Sequence, residues 1–220
     1  MASAIDPPAR IKICGLSTRE TLDAALALGV DWIGLVHFPR SPRHVDFASA
    51  AALSSQARGR AERVVLLVDP DDVLLSRAVE AIDPDLIQLH GRESPERVTA
   101  IRASTGRPVM KALGLATTAD LAALPAYAAV ADRILLDAKA PPDAALPGGN
   151  GRSFDWTILA GLDLPSGTML SGGLDAGNVA EALARTQLGA VDVSSGVETA
   201  PGVKDPGKIA AFVAAARATR

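Results

Sequence analysis

Eight short aliphatic runs, each apolar at nearly every position, recur along this chain with a helix-period stretch between one and the next. They are RIKIC (10–14), DWIGLV (31–36), RVVLLV (63–68), DLIQL (85–89), RPVMKA (107–112), RILLD (133–137), GTMLS (167–171) and AVDVS (190–194). A strand with one wet face alternates apolar and polar residues; runs without alternation are buried on both faces, as in a parallel sheet. Parallel neighbours need right-handed crossovers, and the intervening segments supply them. Eight such units predict a single-domain α/β protein, a closed (β/α)8 barrel over residues 1–220 with a short flexible leader at 1–9. The competing open doubly wound sheet is disfavoured by the evenness of the repeat. KICGLST also has one glycine where a dinucleotide fingerprint needs three.

The crossovers carry their own punctuation. STRETLDAALALG places Ser17 as N-cap, Glu20 three residues on as a capping box, and Gly29 at the stop. DPDDVLLSRAVEAI sets acidic residues and Pro70 in a first turn. FASAAALSSQARG, SPERVTAIRASTG, TTADLAALPAYA, FDWTILAGL, DAGNVAEALAR and DPGKIAAFVAAARA read as the remaining helices, with Pro125 ending or kinking its own.

Composition narrows the partners. A net charge of −3 and a pI near 5.6 give no electrostatic reason to expect nucleic acid or an anionic membrane. No apolar run approaches the roughly 20 residues that span a bilayer. One cysteine cannot make an internal disulfide, and no basic, then apolar, leader is present, so a cytoplasmic location is expected. Metal-site spacings and a GxSxG elbow are absent, and no metal or cofactor is expected.

In such barrels chemistry sits at the carboxyl ends of the strands. Those ends hold Cys14, Gln88, His90, Lys111 and Asp137, with Arg43 on the loop after the second run. The last two runs lead into SGG (Ser171, Gly172, Gly173) and SSG (Ser194, Ser195, Gly196), where small residues let backbone N–H groups approach an anion. Glycine-rich loops after strands 7 and 8 make a phosphate site. Cys14, between a strand end and a helix start, is placed where thiol pKa values fall from about 8.5, although a lone cysteine is as readily a small core hydrophobe. Asp137 lies ahead of the glycine-rich PGGNGRS, expected to be a mobile loop over a site. Arg43 could grip a second anion bidentately. Gln88, His90 and Lys111 could equally be satisfied wall residues.

Taken together, KICG, FPRSPRHV, DLIQLHG, LLDAKAP with GGNGRSFDW, LSGGL…NV and VDVSSGVE…PGVKD resemble the phosphoribosylanthranilate isomerase family over essentially the whole chain. Leu35 and His37 depart from the aromatic residues more usual there and could alter packing round the anthranilate ring. The resemblance implies an Amadori rearrangement of a phosphoribosylated anthranilate, in a monomer or homodimer whose partner is that small phosphosugar. It implies Cys14 as general base, Asp137 as general acid, Arg43 on the carboxylate, and phosphate against Gly172, Gly173, Ser195 and Gly196. Asp137 would have to hold a proton when it acts, and Cys14 would have to lose one. Indole-3-glycerol-phosphate synthase, another sugar-phosphate barrel, fits less well, because it relies on Lys and Glu at strand ends and a longer N-terminal segment. A non-catalytic phosphosugar-binding barrel would be expected to lack Cys14 or Asp137.

Overall fold

Parity along each strand decides what enters the barrel. Side chains of a strand alternate between its two faces, so in β1 (Arg10–Cys14) Lys12 and Cys14 point inward while Ile11 and Ile13 join the outer aliphatic core. The computed structural model describes residues 8–141, 146, 148, 149, 151 and 153–218. The other barrel strands are β2 (Trp32–Val36), β3 (Glu62–Leu67), β4 (Leu86–Leu89), β5 (Val109–Leu115), β6 (Arg133–Ala138), β7 (Met169–Leu170) and β8 (Ala190–Val193). They pair in parallel in sequence order, and β8 returns to β1, closing the expected barrel. The seam is in register from Arg10 opposite Ala190 to Ile13 opposite Val193.

Two cores result. Inside the barrel, Trp32, Val64, Leu86, Met110, Ala112, Leu135, Met169 and Ala190 form a plug drawn from seven strands, with the Arg10 guanidinium 3.9 Å from the Trp32 ring centre. Outside it, the alternate strand residues pack under α1 (Arg19–Ala27), α2 (Phe47–Ala57), α3 (Asp72–Ile82), α4 (Pro95–Thr105), α5 (Leu124–Ala128), α6 (Val179–Thr186) and α7 (Pro206–Arg217). Asp46, Asp71, Ser94 and Asp205 cap four of these through their side-chain oxygens, a contact typically worth about 1 kcal/mol. Arg217 near the end of α7 donates to the carbonyls of Leu28 and Gly29, at 2.8 and 2.7 Å, tying the last helix to the end of the first.

Several local expectations are corrected. The cap of α1 is Thr18, whose Oγ1 accepts from Thr21 N, rather than Ser17. Pro70 lies before α3, whose cap is Asp71. FDWTILAGL forms only a 3-10 turn at Trp156–Leu159, held by Asp155, and TTADLAALPAYA divides into a 3-10 turn (Thr118–Ala123) and the short α5, with Pro125 in its first turn. An unforeseen hairpin, β9 (Glu198–Ala200) with β10 (Val203–Lys204), follows β8. Ala9 is buried in the outer core, so the leader is anchored by that residue; positions 1–7 lie outside the described residues. No helix among the described residues is long and apolar enough to cross a membrane.

Candidate active site

The cleft at the carboxyl end of the barrel is lined by Cys14, Arg43, Gln88, His90 and Asp137, and by Gly172, Gly173, Ser194 and Ser195 from the last two loops. Nine of the eleven expected residues therefore meet in one place. Interior parity explains it: Cys14, Gln88, Asp137 and Ser194 each fall an even number of positions from the inward residues below them. Lys111 is the first exception. It follows the inward Met110 and so faces outward, where its Nζ donates to Gly91 O and Glu93 Oε2, both at 2.8 Å. It braces the β4–α4 loop and does not line the cleft. Gly196 is the second. A Cβ there would collide with the Leu174 carbonyl, so this glycine lets the loop after β8 seat against the loop after β7. Gly172 has a different role: with φ +89 it adopts a left-handed turn, and its bare Cα lets the loop pass the Ala138 backbone.

Asp137 is 5 % exposed and well connected. Its Oδ1 accepts from Ala138 N at 2.8 Å, and its Oδ2 lies 3.2 Å from His90 Nε2. Gln88 Nε2 lies 3.1 Å from His90 Nδ1, so the three residues form a chain in which Gln88 donates and the imidazole proton sits on Nε2. Gln88 Oε1 is then buried without a hydrogen bond. Gly148 lies on this chain, and a Cβ there would come within 2.8 Å of Asp137 Oδ2. Of the expected mobile segment 147–153, positions 147, 150 and 152 lie outside the described residues.

Cys14 is 4 % exposed at the cleft floor. Burial pushes its thiol above the ordinary value, against the expected direction; the nearby Lys12 works the other way and only partly offsets it. The helix that was to lower it starts too far on. The chain turns at Gly15, Gly15 N and Leu16 N both donate to Gly34 O, and α1 begins only at Arg19. Beneath Cys14, the fully buried Lys12 donates to Asp192 Oδ1 at 2.8 Å, and Ser171 Oγ donates to Asp192 Oδ2 at 3.0 Å. Neither Lys12 nor Asp192 stood out in the sequence, because each is a single charge inside an aliphatic run.

Arg43 is also already engaged. Nε and Nη2 donate to the two oxygens of Glu198 at 2.7 and 2.9 Å, and Nη2 reaches Gly149 O at 3.3 Å. The side-on fork expected for a ligand carboxylate is thus taken by Glu198. Nη1 has no hydrogen bond among the described residues. Lys204 Nζ joins the cluster, donating to Glu198 Oε1 at 2.7 Å and Ser194 O at 2.9 Å. Burial would raise the Glu198 carboxyl, but Arg43 and Lys204 together hold it below its ordinary value. Leu35 packs in the outer core and His37 stacks on Phe47 at 4.1 Å, so neither lines the cleft. Among the described residues no group of three His, Cys, Asp or Glu side chains could hold a metal ion.

A family model described as N-(5'phosphoribosyl)anthranilate (PRA) isomerase matches residues 11–215. The chain belongs to the phosphoribosylanthranilate isomerase family. It is 68% identical over 208 residues, 94% of this chain and 91% of the relative, to the N-(5'-phosphoribosyl)anthranilate isomerase of Azorhizobium caulinodans. The crystal structure of phosphoribosyl anthranilate isomerase from Thermotoga maritima superposes with a TM-score of 0.86 at 32% identity, covering 96% of this chain and 99% of that one. A second crystal structure of a phosphoribosyl anthranilate isomerase, in complex with reduced 1-(o-carboxyphenylamino)-1-deoxyribulose 5-phosphate, superposes at 0.80 with 28% identity and the same coverage. The protein is therefore an isomerase on the barrel scaffold that phosphoribosylanthranilate isomerases share.

Proposed function

We propose that this cleft carries out the Amadori rearrangement of N-(5-phospho-β-D-ribosyl)anthranilate to 1-(2-carboxyphenylamino)-1-deoxy-D-ribulose 5-phosphate, with Asp137 as general acid and Cys14 as general base. The observation that carries the proposal is the meeting of an acid from β6 and a thiol from β1 in one cleft with an arginine and two glycine-serine loops. The ligand held by the second solved relative has the charges these groups would meet, a carboxylate and a phosphate.

Asp137, protonated, gives its proton to the furanose ring oxygen; the C1′–O bond breaks and the nitrogen lone pair forms an iminium. The iminium acidifies C2′–H, and the Cys14 thiolate removes that proton to leave an enolamine, which tautomerises to the ketone. A positioned acid or base contributes typically about 10²–10⁴-fold. The His90 pair suits an acid that must hold and release a proton. With the Gln88 amide as placed, His90 Nε2 donates to an ionised Asp137. Turning that amide would give the orphaned Oε1 the His90 Nδ1 proton, and His90 Nε2 would then accept from a protonated Asp137.

The substrate carboxylate would lie at Arg43 Nη1, and the phosphate at the backbone of Gly172, Gly173, Ser194 and Ser195, with Gly196 supporting their loop. Such a substrate needs no nucleic acid or membrane partner, and we place the enzyme in the cytoplasm as a monomer or homodimer. Fluorescence loss of the anthranilate substrate tests the assignment. Cys14→Ala and Asp137→Asn should each abolish most turnover while product affinity stays within a few-fold, and full turnover in either refutes that residue's role.

A further inference from the structure

The mechanism asks Cys14 to become a thiolate in a place where burial resists it, and the structure holds one group able to oppose that resistance. Lys12 and Cys14 are two apart on β1 and share its inward face. Both press on Gly34, the residue opposite Cys14 on β2, where a Cβ would meet Cys14 Sγ at 3.0 Å and Lys12 Nζ at 3.1 Å. The missing side chain at Gly34 is the space in which ammonium and sulfur meet. On the other side Lys12 is opposite Asp192, and Asp192 is fixed in turn by Ser171. The ammonium is fully buried and does not line the cleft, so it reaches substrate only through the sulfur.

We propose that Lys12, locked by Asp192 and Ser171 beneath the cleft floor, is the positioning residue that supplies the counter-charge for the Cys14 thiolate. The inference rests on Cys14 being the base. Burial pulls Lys12 downward, yet Asp192 and the Cys14 sulfur more than offset it, so the ammonium form is favoured. The charged groups facing Cys14 are Lys12 from its own strand, Asp192 from β8 and Lys204 from β10; β2 contributes only the uncharged Gly34. Asp192 acts on the thiolate with the sign opposite to Lys12. The two charges thus pull the sulfur in opposite directions, an asymmetry that substitutions can separate.

That asymmetry is the test. Cys14 is the only cysteine, so absorption at 240 nm, corrected for the single tyrosine through its separate longer-wavelength tyrosinate band, titrates the thiolate in the intact protein. Lys12→Met should lower the thiolate fraction at a fixed alkaline pH by about tenfold and move the acid limb of the kcat/KM profile upward. Asp192→Asn should raise that fraction and move the limb downward. Lys12→Arg, which restores the charge, should recover most of the thiolate. Should Lys12→Met fail to fold because Asp192 is left unpaired, the double variant Lys12→Met/Asp192→Asn removes the pair together. Compared with Asp192→Asn alone, the double variant must show less thiolate. Titrations that move the same way in Lys12→Met and Asp192→Asn, or a double variant matching Asp192→Asn, overturn the proposal. Undiminished turnover in Cys14→Ala would instead sink the assignment of the base while leaving the titration result standing.

Discussion

Gly196→Ala is a methyl group's worth of change with a consequence the geometry lets one size. A Cβ at this position would stand 2.9 Å from the Leu174 carbonyl carbon and 3.1 Å from Asp175 Cα, with the Leu174 oxygen closer still. All three are backbone atoms, so no rotamer can relieve the overlap. The oxygen has to retreat by about 1 Å to reach a contact distance that side chains tolerate, and an error of that size in a positioning group costs on the order of 10²-fold in rate. The strain itself should cost about 1–3 kcal/mol, the usual range for overpacking. For a chain of this size each kcal/mol lowers Tm by about 2–4 °C. Gly177→Ala, on the facing loop after β7, is the control, because there the nearest atom is a movable Asp175 side-chain oxygen. The assay pairs substrate-fluorescence kinetics with inhibition by inorganic phosphate and a thermal melt. We expect kcat/KM to fall on the order of 10²-fold in Gly196→Ala, phosphate inhibition to weaken alongside it, and Gly177→Ala to stay near the parent. A Gly196→Ala enzyme within twofold of the parent in rate and phosphate inhibition would refute the idea that the two seated loops form the phosphate site.

Three further outcomes follow from the buried charges. Glu93→Gln strips Lys111 of its partner outside the cleft; the loss should be about 3–5 kcal/mol in urea denaturation with KM nearly unchanged, and a stable variant would contradict the bracing role. Glu198→Gln should both destabilise the fold and raise KM, since Arg43 and Lys204 lose their shared anchor; a change in only one of the two measurements would separate anchoring from packing. Because Glu198 is held below its ordinary carboxyl range, its contribution is present above the unfolded value and is lost as pH falls through the folded one. The urea-midpoint gap between the parent and Glu198→Gln should therefore be level near neutrality and close in acid, and a gap independent of pH would show the charge to be irrelevant.

The barrel was legible because burial on both faces leaves a strand few polar positions, and eight such runs leave few topologies. Boundaries were less so. Thr18 displaced Ser17 as cap because both hydroxyls suit the role and only the backbone entry angle chooses between them. The sixth crossover looked helical in FDWTILAGL, yet Asp155 caps a single turn and Gly161 turns left-handed just past it. Cleft residues at strand ends announced themselves as polar groups after aliphatic runs. Lys111 did so too and misled, since one step of parity separates the cleft from the helix layer. Lys12, Asp192 and Glu198 were invisible for a different reason. Lys12 and Asp192 are 180 residues apart in the chain, as are Ser194 and Cys14, and their meaning exists only once β8 lies beside β1.

The seam between β8 and β1 also imposes an order in time. Chains are made from the N-terminus, so β1, with Cys14 and Lys12, emerges long before the neighbour that covers its second edge. Until β8 arrives the nascent protein carries an open edge and an unneutralised lysine in what will become its interior. Ribosome-bound chains stalled before Ala190 should be cut readily by protease, and chains carrying a C-terminal linker that holds Arg217 clear of the ribosome should resist, as expected of a catalyst that comes into being late and all at once.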